Sequence, residues 1–252
     1  MTAGPQPLLQ VRRLAKSFGG VEAVRDVSFT VGEGEMVALI GPNGAGKSTC
    51  FNLVNGQLLP DRGEVILGGE RIDGLAPRAI ARKGVGRTFQ VAATFASMTV
   101  RENVEVALLA HAGAHRRIAA PMPTALRAKA GALLERVRMS KFAARGCATL
   151  AYGDAKRIEL ALALAGSPRL LLMDEPTAGM SPASRDRVMK VAAELARQQR
   201  IAVLFTEHDM DVVFGYADRI IVLDRGAIIA EGPPAAIRAD ARVQAVYLGE
   251  DA

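Results

Sequence analysis

The chain has 252 residues, half of them hydrophobic, which suits one large domain or one domain with a sizeable insertion. Its net charge is +6, but no dense lysine–arginine block interleaved with aromatic residues is present, so we interpret the excess as a solvated basic face and expect no nucleic-acid partner. The first twenty residues lack the apolar core of a signal peptide, and no apolar run is long enough to span a membrane. Cys50 and Cys147 form neither a disulfide framework nor a metal-ligand pattern.

Short strand-like runs separated by glycine-containing turns fill the N-terminal part of the chain. The runs at residues 8–12, 27–31 and 63–67 alternate with turns such as Gly19-Gly20 and Gly68-Gly69. This pattern predicts a small antiparallel sheet beside an apolar strand at residues 36–40.

The pattern changes to helical and alanine-rich from about residue 100, with stretches at 100–110 and 124–135 separated by a proline-containing segment. Apolar strands return at residues 170–173, 201–205 and 219–223, with helical stretches between them. That alternation predicts a parallel α/β sheet, interrupted in sequence by a helical subdomain.

A phosphate-binding loop follows the strand at 36–40. Residues 41–48 fit the pattern G-x-x-x-x-G-K-[ST], and a helix-like stretch follows, which is the context that this motif needs. We expect Lys47 to reach the β- and γ-phosphates of a nucleotide and the Ser48 hydroxyl to ligate Mg²⁺. The expected nucleotide-contacting residues of this loop are Gly41, Pro42, Asn43, Gly44, Ala45, Gly46, Lys47, Ser48 and Thr49.

Two carboxylates and a histidine follow later apolar strands. Asp174 ends the strand at 170–173 and is expected to organise Mg²⁺, while Glu175 follows directly and is placed to polarise a water molecule. His208 comes just after the strand at 201–205. Ligands of open α/β sheets bind at the carboxyl ends of strands, so His208 is expected near the γ-phosphate.

A short turn before the apolar helix at 155–165 carries the family resemblance. Residues 150–154 are a variant of the signature Leu-Ser-Gly-Gly-Gln, and here the sequence resembles the ATP-binding subunits of ATP-binding cassette (ABC) transporters. The resemblance covers nearly the whole chain, with six motifs in the expected order. Phe18 resembles the aromatic residue that stacks on adenine, and Gln90 resembles the glutamine that contacts Mg²⁺. The signature residues expected to contact nucleotide are Leu150, Ala151, Tyr152, Gly153 and Asp154.

This resemblance implies an α/β fold with a P-loop NTPase (RecA-like) core, an N-terminal antiparallel β subdomain and an inserted α-helical subdomain. The single domain would comprise a nucleotide-binding core at 1–91 and 166–252 and a helical signature subdomain at 92–165. ATP and Mg²⁺ would be the cofactors of an ATP hydrolase. Two cassettes would pair head to tail, each ATP lying between the phosphate loop of one and the signature of the other, with two transmembrane permease subunits as partners. The chain would then be peripheral, at the cytoplasmic face of the inner membrane.

Two departures from the family pattern, one in the signature and one directly after it, matter for the nucleotide site. Ala151 replaces the usual serine, which removes one hydroxyl contact to the partner cassette's nucleotide, and Ala155 stands where many relatives carry glutamine. We therefore hypothesise a pair of different cassettes, in which the ATP site completed by this signature is the less active one.

A finer resemblance points to the importers of branched-chain amino acids. It is carried by residues 84–90, 175–182, 206–211 and 243–249, and by the long stretch between Gln90 and Leu150. The implied assembly contains two different ATPases, two different membrane subunits and an external solute-binding protein. The same branch takes up urea, short amides and aromatic acids, so the solute stays open.

Three alternatives remain at this stage. One is an exporter ATPase for lipid or lipopolysaccharide, and another is a soluble cassette acting in DNA repair or translation. Repair relatives carry a long coiled-coil insertion and translation relatives carry two cassettes in one chain, and this sequence has neither. The third is a nucleotide-binding regulator without turnover, against which the presence of both Glu175 and His208 argues.

Overall fold

The structure is a computed structural model that describes residues 7–88, 94–113 and 122–248. These residues form two sheets and a set of helices, numbered below in chain order. Gln90 lies outside the described residues, so its predicted position is not assigned.

The smaller sheet has four strands in the order β2-β1-β4-β5, and all its pairs are antiparallel. Buried apolar residues recur between exposed polar ones along β1 and β2, and register shifts interrupt the pairing of this first hairpin. The predicted antiparallel sheet is thereby confirmed, with longer strands than the sequence pattern indicated. Its strands are β1 (Leu9–Phe18), β2 (Val21–Val31), β4 (Arg62–Leu67) and β5 (Glu70–Arg71).

The larger sheet has six strands in the order β10-β9-β3-β8-β7-β6. All neighbouring strands run parallel except β10, which pairs antiparallel with β9. Because β8 lies between β3 and β7, the carboxyl ends of these three strands meet at one edge of the sheet. The strands are β3 (Met36–Ile40), β6 (Val85–Thr88), β7 (Leu170–Asp174), β8 (Ala202–Thr206), β9 (Arg219–Asp224) and β10 (Ala227–Gly232).

Helices lie where the sequence pattern placed helical stretches, and three short helices that it did not predict, α2, α8 and α9, lie outside them. A capping box between Thr99 and Glu102 starts the first helix of the alanine-rich region, since each side chain satisfies a backbone N–H of the other residue. No helix in the described part of the chain has the length and apolar character needed to cross a membrane. The helices are α1 (Lys47–Val54), α2 (Pro77–Arg82), α3 (Val100–His111), α4 (Thr124–Arg136), α5 (Tyr152–Leu164), α6 (Pro182–Gln199), α7 (Met210–Tyr216), α8 (Pro234–Ala239) and α9 (Ala241–Leu248).

The core has two parts, one on each face of the larger sheet. In β3, Met36, Ala38 and Ile40 join one buried cluster, while Val37 and Leu39 join the other. The first cluster contains residues of α3 to α7, and the second contains residues of the smaller sheet, α1 and α2. Both faces of β3, β7, β8 and β9 are therefore covered, which explains their apolar sequences.

Candidate functional site

The phosphate-binding loop joins β3 to α1 and is shaped by two glycines with no room for a side chain. Gly41 has φ 151°, and a Cβ there would lie 2.1 Å from the carbonyl oxygen of Leu223. Gly46 has φ 102°, and a Cβ there would lie 2.3 Å from the carbonyl oxygen of Ala23. Backbone packing against β9 and β2 thus fixes both ends of the loop.

Lys47 is held inside this loop. Its Nζ donates to the carbonyl oxygens of Gly41, at 2.5 Å, and Pro42, at 2.9 Å, and the residue is only 7% exposed. Helix α1 starts at Lys47, its N-cap Gly46 offers no side-chain acceptor, and its first turn carries no acidic residue. A helix start of this kind attracts anions, because its first N–H groups and the helix dipole favour negative charge. Other loop residues open to solvent are Asn43, Gly44 and Ser48.

The acid pair lies at the carboxyl end of β7, beside the end of β8. Oδ1 of Asp174 accepts a hydrogen bond of 2.8 Å from Thr206 Oγ1, and the same Thr206 oxygen accepts from the backbone N–H of Glu175 at 3.0 Å. His208 Nε2 lies 2.8 Å from Glu175 Oε1. The structure therefore brings together the three residues that the sequence singled out after these two strands.

Residues that the sequence analysis did not identify support this pair. Arg87, on the neighbouring strand β6, lies 3.3 Å from the second carboxylate oxygen of Asp174 and also donates to Asn52 and Gln57. Burial lowers the pKa of Arg87, and the charge of Asp174 opposes that shift. The only sequence signal for Thr206 was its position at the end of a buried strand, and β6 was missed because Gly86 and Arg87 interrupt its apolar pattern.

Phe18 lies at the tip of the first hairpin of the smaller sheet, where it pairs with Val21 across the Gly19-Gly20 turn. It is 46% exposed and Val21 is 69% exposed, so the two form a small apolar surface. Lys16 Nζ lies 5.6 Å from the centre of the Phe18 ring. A flat, exposed ring beside a cation can stack with a heterocyclic base.

The signature segment lies at the start of α5. Ala151 is the N-cap of this helix and is exposed, as is Tyr152, and no side chain caps the helix. A Cβ on Gly153 would lie 3.0 Å from Cβ of Ser184, so this segment packs closely on the first turn of α6. Arg157 Nη2 donates a hydrogen bond of 2.5 Å to Asp154 Oδ1 and forms an ion pair with it. The exposed helix start can receive an anion from outside this chain.

The donor set fits Mg²⁺ only in combination with other ligands. Ser48 offers an exposed hydroxyl and Asp174 offers carboxylate oxygens, which are the hard oxygen donors that Mg²⁺ prefers. In the described ranges, no group of three or more His, Cys, Asp or Glu residues is arranged to hold a metal ion. Mg²⁺ in such sites is completed by water and by the phosphates of a substrate, and this arrangement leaves room for that.

A phosphate-binding loop after β3, with an acid pair and a histidine at the ends of the two adjacent strands, defines a P-loop nucleotide-binding protein. The family described as "ABC transporter" matches residues 24–178, and the family described as "Branched-chain amino acid ATP-binding cassette transporter" matches residues 227–252. The chain belongs to the ABC transporter family and is one of its ATP-binding subunits, which are ATPases.

Similar proteins agree with this assignment. The branched-chain amino acid transport ATP-binding protein BraF of Pseudomonas aeruginosa is 40% identical, over 97% of this chain and 99% of its own. LivG of Escherichia coli, with the same description, is 39% identical over 97% and 99%. The lipopolysaccharide export ATP-binding protein LptB of Haemophilus influenzae is 36% identical over 96% and 98%.

Solved structures extend the similarity to the fold. The ADP conformation of MJ1267, an ATP-binding cassette of an ABC transporter, has a TM-score of 0.87 and 30% identity, covering 97% of this chain and 99% of that chain. The dimeric post-hydrolysis structure of the cassette MJ0796 with ADP and Pi has a TM-score of 0.75 and 26% identity, covering 90% and 98%. The predicted fold class and the predicted family are thereby confirmed.

Proposed function

We propose that this chain is the ATP-hydrolysing subunit of an ABC importer for branched-chain amino acids or a related small solute. The observation that carries the assignment of ATP hydrolysis is the contact of 2.8 Å between Glu175 and His208. It lies at the edge of the larger sheet where the carboxyl ends of β3, β7 and β8 meet. The similarity to BraF and LivG supports import, and their identity to this chain exceeds that of LptB.

Each residue at this edge has a proposed role. Lys47 binds the β- and γ-phosphates of ATP, and Glu175 accepts a proton from the attacking water. His208 orients Glu175 and donates to the γ-phosphate. Mg²⁺, when held by Ser48, Asp174 and Gln90, would neutralise phosphate charge. Most of the rate enhancement then comes from positioning and charge stabilisation.

The remaining site residues act across a cassette dimer. Phe18 stacks on the adenine of the nucleotide bound by its own chain, while Leu150–Asp154 complete the nucleotide site of the partner cassette. Exposure of Ala151 and Tyr152 at a helix start supports this assignment, since that surface is open to a phosphate group from another chain. We propose a second, different cassette as the partner because Ala151 lacks the usual hydroxyl.

Membrane partners are proposed to dock on the groove between the core and the helical subdomain, residues 92–165. A cavity of about 330 Å³ lies there, between β6 and α2 on one side and α3 and α5 on the other. Arg87 and His111 line it, and the segment with Gln90 follows directly after β6. This groove would receive one of two transmembrane permease subunits at the cytoplasmic face of the membrane, and the second cassette would receive the other. An external solute-binding protein would act indirectly.

The partners are tested by affinity purification of the tagged chain from detergent-solubilised membranes, followed by mass spectrometry. The proposal expects two polytopic membrane proteins and a second cassette to be recovered. Recovery only from the soluble fraction, alone or with nucleic acid, would contradict it. Uptake of labelled leucine by cells lacking the gene, with and without complementation, then tests the solute.

Replacement of Glu175 by Gln tests the catalytic assignment. We expect ATP turnover to fall by about 100-fold or more, because the amide cannot accept the proton of water. The ATP-bound dimer should accumulate, which size-exclusion chromatography with ATP would detect. Glu135→Gln, on the exposed face of α4, is the matched control and should retain turnover. Turnover that survives Glu175→Gln would refute the assigned role.

A further inference from the structure

Glu175 has an unusual backbone conformation for its residue type. Its φ is 45°, in the left-handed region that non-glycine residues rarely adopt. Such a conformation persists only where the surrounding structure holds it in place, and it concentrates at functional sites. The contacts that hold the turn after β7 therefore decide where the Glu175 carboxylate points.

Besides the contact between Glu175 and His208, two contacts tie this turn to the segment at the end of β8. Thr206 accepts from the Glu175 N–H and donates to Asp174, which fixes the start of the turn. Further along, Arg185 at the start of α6 forms an ion pair with Asp209 and donates to the carbonyl oxygen of Met180 at 2.9 Å. Neither contact reaches the residues immediately after Glu175.

Glu207 supplies the missing contact. Its Oε1 accepts from the backbone N–H of Thr177 at 2.8 Å and from the Thr177 hydroxyl at 2.7 Å. Glu207 is 4% exposed and Thr177 is 2% exposed, so both are shielded from water. One buried carboxylate, on the residue directly before His208, thus holds the segment after Glu175.

Joining two loops through a buried carboxylate costs desolvation free energy. Burial raises the pKa of Glu207, its hydrogen bonds oppose that shift, and the nearby charge of Glu175 adds to the rise. An apolar pair of similar volume would stabilise the fold at least as well. The advantage of a carboxylate here is direction, because its oxygen receives both the backbone and the hydroxyl donor of Thr177 at fixed geometry.

We propose that Glu207 is a positioning residue that holds the left-handed turn at Glu175 through Thr177 and so aligns the Glu175 carboxylate with His208. This role rests on the proposed function of Glu175 and His208 in ATP hydrolysis. Glu207 does not touch the substrate. It acts through Glu175 and His208, which are proposed to contact the substrate.

The test compares steady-state ATP hydrolysis by purified full-length variants. Glu207→Ala removes the acceptor of both Thr177 donors, and we expect kcat to fall at least about tenfold with KM for ATP within about twofold, since loss of alignment affects the chemical step. Glu207→Gln keeps an oxygen acceptor and should restore kcat to within about threefold of the wild type. The ties through Thr206 and Arg185 remain in both variants, so the fold is expected to persist.

Two controls separate positioning from loss of structure. Glu105→Ala removes another buried glutamate, 6% exposed on α3 and distant in sequence from the site, and should leave kcat unchanged even if it lowers the melting temperature. In a Glu175→Gln background, Glu207→Ala should cause no further loss of turnover, because the group that it aligns is already inactive. A full additional loss in that background would overturn the proposal.

Thr177→Val keeps the test decisive if Glu207→Ala does not fold. It removes only the hydroxyl donor, and we expect kcat to fall several-fold with little change in KM. Unchanged kcat in folded Thr177→Val, or in folded Glu207→Ala, overturns the inference while leaving the proposed function intact. Absence of hydrolysis in the wild-type assembly would instead count against the proposed function.

Discussion

At the scale of residues, the backbone leaves no room for a side chain at Gly41. Gly41 follows the end of β3, and an added Cβ would overlap the carbonyl of Leu223. The motif pattern predicted a glycine here for phosphate approach, but the structure adds a second reason, which is contact with the neighbouring strand β9. Both constraints act on the same atom, the missing Cβ.

Replacing Gly41 with Ala should therefore destabilise the protein by about 2–4 kcal/mol, since the overlap is with backbone that cannot rotate away and φ is unfavourable. Urea unfolding and ATP binding would both report the loss. Gly131→Ala is the matched control, because this glycine lies inside α4 and the added methyl would meet no atom within 4 Å. That control should gain about 0.5–1 kcal/mol from helix propensity. Equal stability of Gly41→Ala and the wild type would contradict the overlap argument.

Among individual residues, the groups proposed to carry the chemistry could be predicted from the sequence, but those that hold them in place could not. Asp174, Glu175 and His208 were predicted because strand ends at a sheet edge bind ligands. Thr206 and Glu207 act by accepting or donating hydrogen bonds across a gap of about thirty sequence positions. No local pattern encodes such a pairing, because the partners become neighbours only when β7 and β8 align.

At the scale of elements, the start of β3 is fixed to the start of β9 by a half-buried ion pair between Glu35 and Arg219. Arg219 donates to both oxygens of Glu35, at 2.8 and 3.0 Å, and to the carbonyl oxygen of Thr30 at 2.7 Å. It also pairs with Glu231 on β10. One guanidinium thus links four strands, including the strand that leads into the phosphate loop.

This ion pair predicts a pH dependence of stability. Burial acts to raise the pKa of Glu35, but the bonds from Arg219 and Gly32 outweigh it, so the pKa is lowered from 4.5. The unfolded chain then binds the proton more tightly than the folded chain. The stabilisation is therefore complete above pH 4.5 and is lost as the pH falls through the folded-state value.

Glu35→Gln tests the dependence. We expect a loss of about 1–3 kcal/mol at pH 7 and a flatter dependence of stability between about pH 5 and 3, because the ionised partner of Arg219 is gone. Thermal unfolding across that pH range measures both. Glu22→Gln, exposed on β2, should leave the profile unchanged. An unaltered acid slope in Glu35→Gln would show that other carboxylates dominate it.

At the scale of the whole molecule, the exposed start of α5 is the surface that a second cassette is proposed to use. Ala151 and Ala155 are departures from the family pattern, and both lie in the first turn or cap of that helix. If the site completed by this signature is the weaker of two, restoring the usual residues should strengthen it.

The double substitution Ala151→Ser with Ala155→Gln tests that prediction in the assembled transporter. We expect tighter ATP binding at one site and higher turnover, of about two- to tenfold, because a hydroxyl and an amide donor reach the partner's nucleotide. Nucleotide affinity and hydrolysis of the purified complex are the measurements. The same substitutions combined with Glu175→Gln control for activity at the site of this chain. No change in affinity or turnover would count against a degenerate signature.

The sequence by itself determined the class of protein, since its motifs are short and contiguous and their chemistry depends on neighbours only a few residues apart. It also predicted the antiparallel sheet, the helices of the alanine-rich region and the parallel strands, because continuous apolar runs and helical periodicity record burial directly. Only the tertiary structure decided the order of the strands, the place of β6 and the contact between Glu175 and His208. All three are set by packing between segments that lie far apart in the sequence, so no local pattern records them.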